Sequence, residues 1–170
     1  CGSTFSTEEV GDRMMEFLQW LEDLRFSAWI RESGSIWSYP LVLTLHTVGL
    51  GIVVGISCAV DLRILGVGSR VPLSALRGMF RVMVYGFALN AITGVLLFMA
   101  AASHTGVQKV FYVKLVLIAL ALVVAARTKA ALYGRGESAQ SVPSDARTLA
   151  IASLVLWVAA TTAGRLMAYL

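Results

Sequence analysis

Four long runs of apolar residues dominate the chain. They lie at residues 37–62, 82–102, 107–126 and 149–170, and few charged residues interrupt them. About 20 apolar residues in an α-helix cross the ~30 Å hydrocarbon core of a bilayer. A helix can do so because its hydrogen bonds satisfy the backbone polar groups within one segment. The pattern therefore predicts an all-α fold, an integral membrane four-helix bundle over residues 36–170.

A different pattern occupies residues 13–30, within an N-terminal arm formed by residues 1–35. Apolar side chains recur there every three or four positions, with acidic residues between them: Met14, Phe17, Leu18, Leu21, Leu24, Phe26 and Trp29. This spacing predicts an amphipathic helix, which lies on a membrane surface or packs on a partner rather than crossing the bilayer.

The composition agrees with a membrane protein. Hydrophobic residues make up 58% of the 170 residues and charged residues only 14%, and the mean hydropathy is +0.77. A soluble domain has about a quarter of its residues charged. The composition excludes disordered, collagen-like and disulfide-stapled chains. The expected partners are the lipid bilayer and other membrane or periplasmic subunits, with no nucleic acid.

The distribution of basic residues predicts the orientation. Eight of the 14 Lys and Arg residues lie in two loops, after the first and third spans: Arg63, Arg70, Arg77, Arg81, Arg127, Lys129, Arg135 and Arg147. Basic loops are retained on the cytoplasmic side, and the N-terminal arm is acidic. We therefore expect a multi-pass protein of the bacterial inner membrane with both termini in the periplasm.

The first residue supports this orientation. Cys1 followed by Gly2, Ser3 and Thr4 is typical of a mature bacterial lipoprotein, whose lipidated cysteine faces the periplasm. The sequence predicts lipidation of Cys1, and a trimmed N-terminus is the alternative.

Few strongly polar side chains fall within or at the ends of the spans, and each is a functional candidate because polar groups are costly in lipid. They are His46, Ser57, Asp61, Asn90, Thr93, His104 and Lys114. We interpret Asp61 as pairing with Arg63 or capping the inner end of the first span. Asn90 and Thr93 are predicted to form hydrogen bonds between packed helices.

His46 and His104 are the candidate ligands of a metal or cofactor. Both belong to the outer half of the bundle, so two imidazoles could bind a b-type haem, with Lys114 or a nearby Arg near its propionates. Small residues follow His46 at a spacing of four and would let a helix or a flat ligand approach: Thr47, Gly51, Gly55 and Ala59. The alternative interpretation of Gly51 and Gly55 is a packing seam without a ligand.

Copper is a second possible cofactor. Imidazole and thioether ligands select Cu(I), and the chain has six Met residues as well as Cys58. A Met-rich or His-rich loop that would collect the ion is missing from the sequence, so the copper signal is weak.

Several motifs resemble a family of small bacterial four-span membrane proteins of unknown function. They are Trp37, Tyr39 and Pro40, then residues 45–49 (LHTVG), Gly55, residues 61–66 (DLRILG) and residues 111–115 (FYVKL). The chain is also remotely similar to the copper-resistance D and haem-binding protoporphyrinogen oxidase membrane families. That remote similarity implies a metal or tetrapyrrole near His46, although the chain lacks the longer copper permease body and the oxidase's further motifs.

Three functions are compatible with these features. The first is an accessory subunit, non-catalytic or electron-transferring, of an inner-membrane redox or photosynthetic complex that binds a tetrapyrrole through His46. The second is a small copper or solute transporter. The third is a scaffold without a cofactor, in which His46 only forms hydrogen bonds between helices.

Overall fold

The computed structural model describes residues 7–25, 27, 38–68, 70–133, 144–167 and 169. The helices are α1 (Thr7–Asp23), α2 (Tyr39–Ile64), α3 (Leu73–Ala100), α4 (Ala102–Gly106), α5 (Lys109–Tyr133) and α6 (Ser144–Leu166). Strands are absent from these residues, so the all-α prediction is confirmed. Four of the helices, α2, α3, α5 and α6, are long and apolar enough to cross a membrane.

The ends of α2 follow from local chemistry. Pro40 lies in the first turn, where its missing N–H removes no helical hydrogen bond. After Ile64 the chain turns towards α3, and Gly66 and Gly68 adopt φ angles of 104° and 71°. Because a side chain is strained in this left-handed region, glycine suits both positions.

Two spans are longer than predicted at the end of the bundle that carries residues 63–81, named here the arginine end. α3 begins at Leu73 rather than at residue 82, and α5 continues to Tyr133 rather than ending at residue 126. Tyr133 donates a hydrogen bond from its hydroxyl to the carbonyl of Leu73, at 2.6 Å. The Arg77 guanidinium lies 4.9 Å from the centre of the Tyr133 ring. These contacts stabilise the charged first turns of α3 and the last turn of α5 as helix beyond their apolar segments.

The four long helices form two antiparallel hairpins, α2 with α3 and α5 with α6, and the hairpins meet mainly where α2 contacts α6. α3 and α5 contact through aromatic rings near both ends: Phe80 with Tyr133, and Phe98 with Phe111. The buried core includes Val53, Val60, Ile64, Leu76, Phe80 and Trp157. Most of the remaining apolar surface faces outward, as expected for helices solvated by lipid.

The N-terminal arm contains α1, which overlaps the predicted range of 13–30 but begins earlier, at Thr7, and ends earlier, at Asp23. Residues 26 and 28–30 of the predicted range lie outside the described residues. It packs on the short helix α4 at the opposite end of the bundle from the arginine end. Leu18 fills the space above Gly106, and the Glu22 carboxylate accepts hydrogen bonds from the Ser103 amide and hydroxyl, at 2.7 and 2.8 Å. A row of large apolar side chains on α1 remains exposed: Val10, Met14, Phe17 and Trp20.

Two glycines bring α2 and α3 into close contact. A Cβ atom on Gly49 would lie 2.8 Å from the backbone nitrogen of Asn90 on α3. A Cβ atom on Gly86 would lie 2.5 Å from the Cγ2 atom of Ile52 on α2. Such distances leave no room for any side chain. Gly49 and Gly86 therefore set the spacing of the first hairpin, in the way that small residues allow membrane helices to approach.

This contact predicts opposite outcomes for two neighbouring glycines of α2. Gly49→Ala pushes a methyl group against the α3 backbone, and overpacking of this kind costs roughly 1–3 kcal/mol. Gly51→Ala adds its methyl group in open space, so we expect no loss of stability. Thermal unfolding of the two variants in the same detergent checks the prediction, and equal midpoints would contradict it.

Candidate functional site

His46 is half-buried near the start of α2 and faces α3. Its Nδ1 atom lies 3.0 Å from the Asn90 carbonyl oxygen and 3.2 Å from the Thr93 hydroxyl oxygen. The Thr93 hydroxyl donates its own proton to the Leu89 carbonyl, at 2.7 Å. The Asn90 side-chain nitrogen also lies 3.3 Å from Nδ1, but the atom closest to Nδ1 is a carbonyl oxygen, which can only accept. We therefore assign the imidazole proton to Nδ1. The neutral ring keeps its lone pair on Nε2.

Asn90 completes the contact in the other direction. Its side-chain amide donates to the His46 backbone carbonyl at 2.8 Å. The His46 side chain in turn donates to the Asn90 backbone carbonyl, so each residue binds the main chain of the other helix. Gly94 makes room for the ring, since a Cβ atom there would lie 3.1 Å from the His46 Cε1 atom. The prediction that Asn90 and Thr93 bond across helices agrees with this geometry.

Lys114 enters the same half of the bundle from α5. Its side chain packs on α6, where a Cβ atom on Gly164 would lie 3.6 Å from the Lys114 Nζ atom. The Lys114 ammonium group lies close enough to His46 for its charge to act on the imidazole ring. Among the described residues no carboxylate forms an ion pair with Lys114. A positive charge is therefore available near His46.

His104 is not brought to His46. It lies on the exposed surface of α4, with Nδ1 3.5 Å from the Gln108 amide nitrogen. No contact joins the two histidines. The described residues also contain no group of three or more His, Cys, Asp or Glu side chains placed to hold a metal ion. The two-histidine haem site expected from the sequence stays a prediction.

A single axial ligand is what the geometry offers to a tetrapyrrole. The fixed Nδ1 proton and the unshared lone pair on Nε2 are the features of a metal-binding histidine oriented by a backbone carbonyl. The His46 ring is half-buried between α2 and α3, so a haem bound by it would lie at the edge of the bundle.

The four small residues on α2 face away from the rest of the described residues. Thr47, Gly51, Gly55 and Ala59 are all exposed, and Cβ atoms on Gly51 and Gly55 would meet nothing within 4 Å. The close helix contact is formed by Gly49 and Gly86 instead. Sequence spacing could not identify this pair because its two members lie on different helices. We refer to residues 47, 51, 55 and 59 as the small-residue row.

Asp61 is more deeply buried than its predicted capping role suggests. It is 3% exposed and forms a side-chain hydrogen bond with Ser153 of α6, while its Oδ2 atom has no partner among the described residues. The predicted pairing with Arg63 is not formed, because residues two positions apart on a helix face different sides. Arg63 instead donates to the Val71 carbonyl, at 2.6 Å.

Asp61 also borders a cavity of about 10 Å³, close to the smallest volume that holds one water molecule. Its lining is mainly apolar and includes the three hydroxyl-bearing residues Ser57, Thr128 and Ser153. Ser57 donates a hydrogen bond to the Met83 sulfur, at 3.3 Å, and the neighbouring Cys58 is a half-buried free thiol. Cys1 lies outside the described residues, so its predicted lipidation stays a prediction.

Comparison of the chain with known protein families, curated proteins and solved structures finds no match.

A double-mutant cycle on His46 and Asn90 measures the reciprocal contact. We expect Asn90→Ala and His46→Ala each to lower the free energy of unfolding by roughly 0.6–2 kcal/mol, the range found for polar contacts between membrane helices. The two effects should be largely additive, because each side chain binds a main-chain carbonyl that the other substitution leaves in place. Unfolding of the four proteins in mixed detergent gives the coupling energy. A single variant as stable as the original chain would mean that its side chain does not hold α2 and α3 together.

Proposed function

We propose that the chain is an accessory multi-pass subunit of a bacterial inner-membrane complex, redox or photosynthetic, with both termini in the periplasm. In this function the two faces of α2 have different roles. One face holds the chain together through α3 and α6, and the other presents the small-residue row to a transmembrane helix of a partner. The exposed glycines of that row are the observation that carries the proposal.

Packing physics supports a partner helix on this row. Lipid tails solvate Leu and Val side chains as well as a protein surface does, so apolar faces alone give little association in a bilayer. Association depends instead on close van der Waals contact, which small residues permit. Gly51 and Gly55, at a spacing of four, form the groove into which a partner helix fits closely.

The geometry of His46 favours the tetrapyrrole as a second part of the proposal. The Asn90 carbonyl and Thr93 hydroxyl fix the proton on Nδ1, which leaves Nε2 as a ligand atom with a defined orientation. When bound, such a group would supply electron transfer or light absorption. The chain's contribution is to orient one imidazole at the edge of α2 and α3, with Lys114 as a nearby positive charge.

Site-specific photo-crosslinking in the native membrane tests the docking role. We expect a photoreactive amino acid at Val48, beside the small-residue row, to crosslink to another transmembrane protein. The same amino acid at Val116, an exposed position of α5, should crosslink only to lipid. Gly51→Leu with Gly55→Leu should remove the protein crosslink, whereas Ala119→Leu on exposed α5 should keep it. Equal crosslinking from both helices would contradict the proposal.

An absorption spectrum of the complex purified in mild detergent tests the tetrapyrrole. We expect a haem-type or chlorophyll-type band that is lost from the complex formed with His46→Ala and retained with His104→Ala. Thr93→Val, which removes one acceptor of the Nδ1 proton, should shift the band without removing it. If the His46→Ala complex assembles with an unchanged spectrum, His46 is a packing residue and the docking role stands alone.

A further inference from the structure

A second site lies at the arginine end, between α3 and α5. The two helices enclose a groove of about 460 Å³, lined by Arg77, Phe80, Arg81, Val84, Tyr85, Lys129 and Tyr133. This volume is within the range of about 300–1,000 Å³ found for small-molecule sites. None of the functions considered for His46 or the small-residue row uses this groove.

The groove is strongly basic. Arg77 and Arg81 come from α3 and Lys129 comes from α5, while no acidic side chain is among the lining residues. Within the described part of the chain, none of these three cations forms an ion pair. Three positive charges held close together repel one another, so they favour an anion between them.

The groove is also partly pre-formed. The Tyr133 hydroxyl is fixed by its 2.6 Å hydrogen bond to the Leu73 carbonyl, and the Phe80 ring packs edge-on against the Tyr133 ring, with centroids 6.3 Å apart. The Arg77 guanidinium lies 4.9 Å from the centre of the Tyr133 ring. An arginine held by an aromatic ring loses less freedom when it binds a phosphate, for which its planar donors are well suited.

The location of the groove indicates the source of the anion. Its lining continues from the cations along α3 to Val84 and Tyr85, which are 59% and 69% exposed. A free phosphate would use only the cations. A phospholipid would use both parts, since its phosphate lies at the depth of the basic side chains and its acyl chains lie along the apolar helices.

We propose that the groove between α3 and α5 binds one anionic phospholipid, whose phosphodiester group lies between Arg81 and Lys129 and whose acyl chains contact Val84 and Tyr85. Arg77, positioned on the Tyr133 ring, supplies the third positive charge. The site prefers lipids with a net negative charge over zwitterionic lipids, because no carboxylate of the described residues pairs with the three cations. This site does not depend on the proposed role of His46.

Native mass spectrometry of the delipidated protein tests the lipid site with phosphatidylglycerol, cardiolipin and phosphatidylcholine as probes. We expect the two anionic lipids to bind more tightly than phosphatidylcholine. Arg81→Gln with Lys129→Gln should weaken anionic lipid binding by roughly five-fold for each charge, the effect of one basic residue near a membrane surface. The control is Arg127→Gln with Arg147→Gln, which removes the same charge at the same end but outside the groove.

The control variant should keep its affinity within about two-fold, a smaller effect than the removal of one groove charge. Arg81→Lys with Lys129→Arg keeps both charges and should bind like the original chain, which separates lost binding from lost folding. Equal weakening in the control, or equal binding of phosphatidylcholine, would overturn the proposal. Displacement of the lipid by inorganic phosphate at matched concentrations would also overturn it, because the groove would then recognise the phosphate alone.

Discussion

The contact between α2 and α3 is the constraint on which the rest of the bundle depends. Gly49 and Gly86 allow the two backbones to approach so closely that Cβ atoms at either position would overlap the other helix. This proximity puts the His46 ring within 3.0 Å of the Asn90 carbonyl. In a bilayer, where apolar burial gives little net attraction between helices, close packing and hydrogen bonds of this kind hold a hairpin together.

The same contact fixes the rotation of α2 about its own axis and therefore decides which element each of its faces meets. With His46 turned towards α3, the helical period of about 100° per residue directs Asp61 towards α6 and the small-residue row to the outside. The rotation of one helix therefore decides which polar groups are buried, which helix joins the two hairpins and which surface is free for a partner. At the arginine end, Tyr133 plays a corresponding part, since its ring and hydroxyl hold α5 against α3 and shape the basic groove.

Sequence patterns predicted the number of spans and the all-α class because a long apolar run has few other stable outcomes in a bilayer. The ends of the spans were less predictable. Charged residues such as Arg77 interrupt the apolar pattern, yet they remain helical where an aromatic ring of another helix supports them. The separation of His104 from His46 was not predictable either, because α3 ends at Ala100 and His104 lies on a helix of its own.

The candidate site was predicted in part. His46, Asn90 and Thr93 were identified individually, since polar side chains within apolar runs are rare and costly. Their arrangement around one imidazole proton depends on how α2 and α3 are rotated, which no single-helix pattern contains. The basic groove is a similar case. In the sequence, Arg77 and Arg81 indicate only the orientation in the membrane. Lys129 lies on a different helix, so its proximity to them depends on how α3 and α5 pack.

We propose that one face of α2 is internal and that the other contacts a partner helix. The mobility of a spin label on α2 in the native membrane tests this proposal most directly. A label at Thr47, in a variant with Cys1 and Cys58 replaced by Ser, should be immobilised in native membranes and mobile after purification of the chain alone. A label at Val116 on α5 should be mobile in both samples. A label at Thr47 that stays as mobile as the one at Val116 in native membranes would contradict the account.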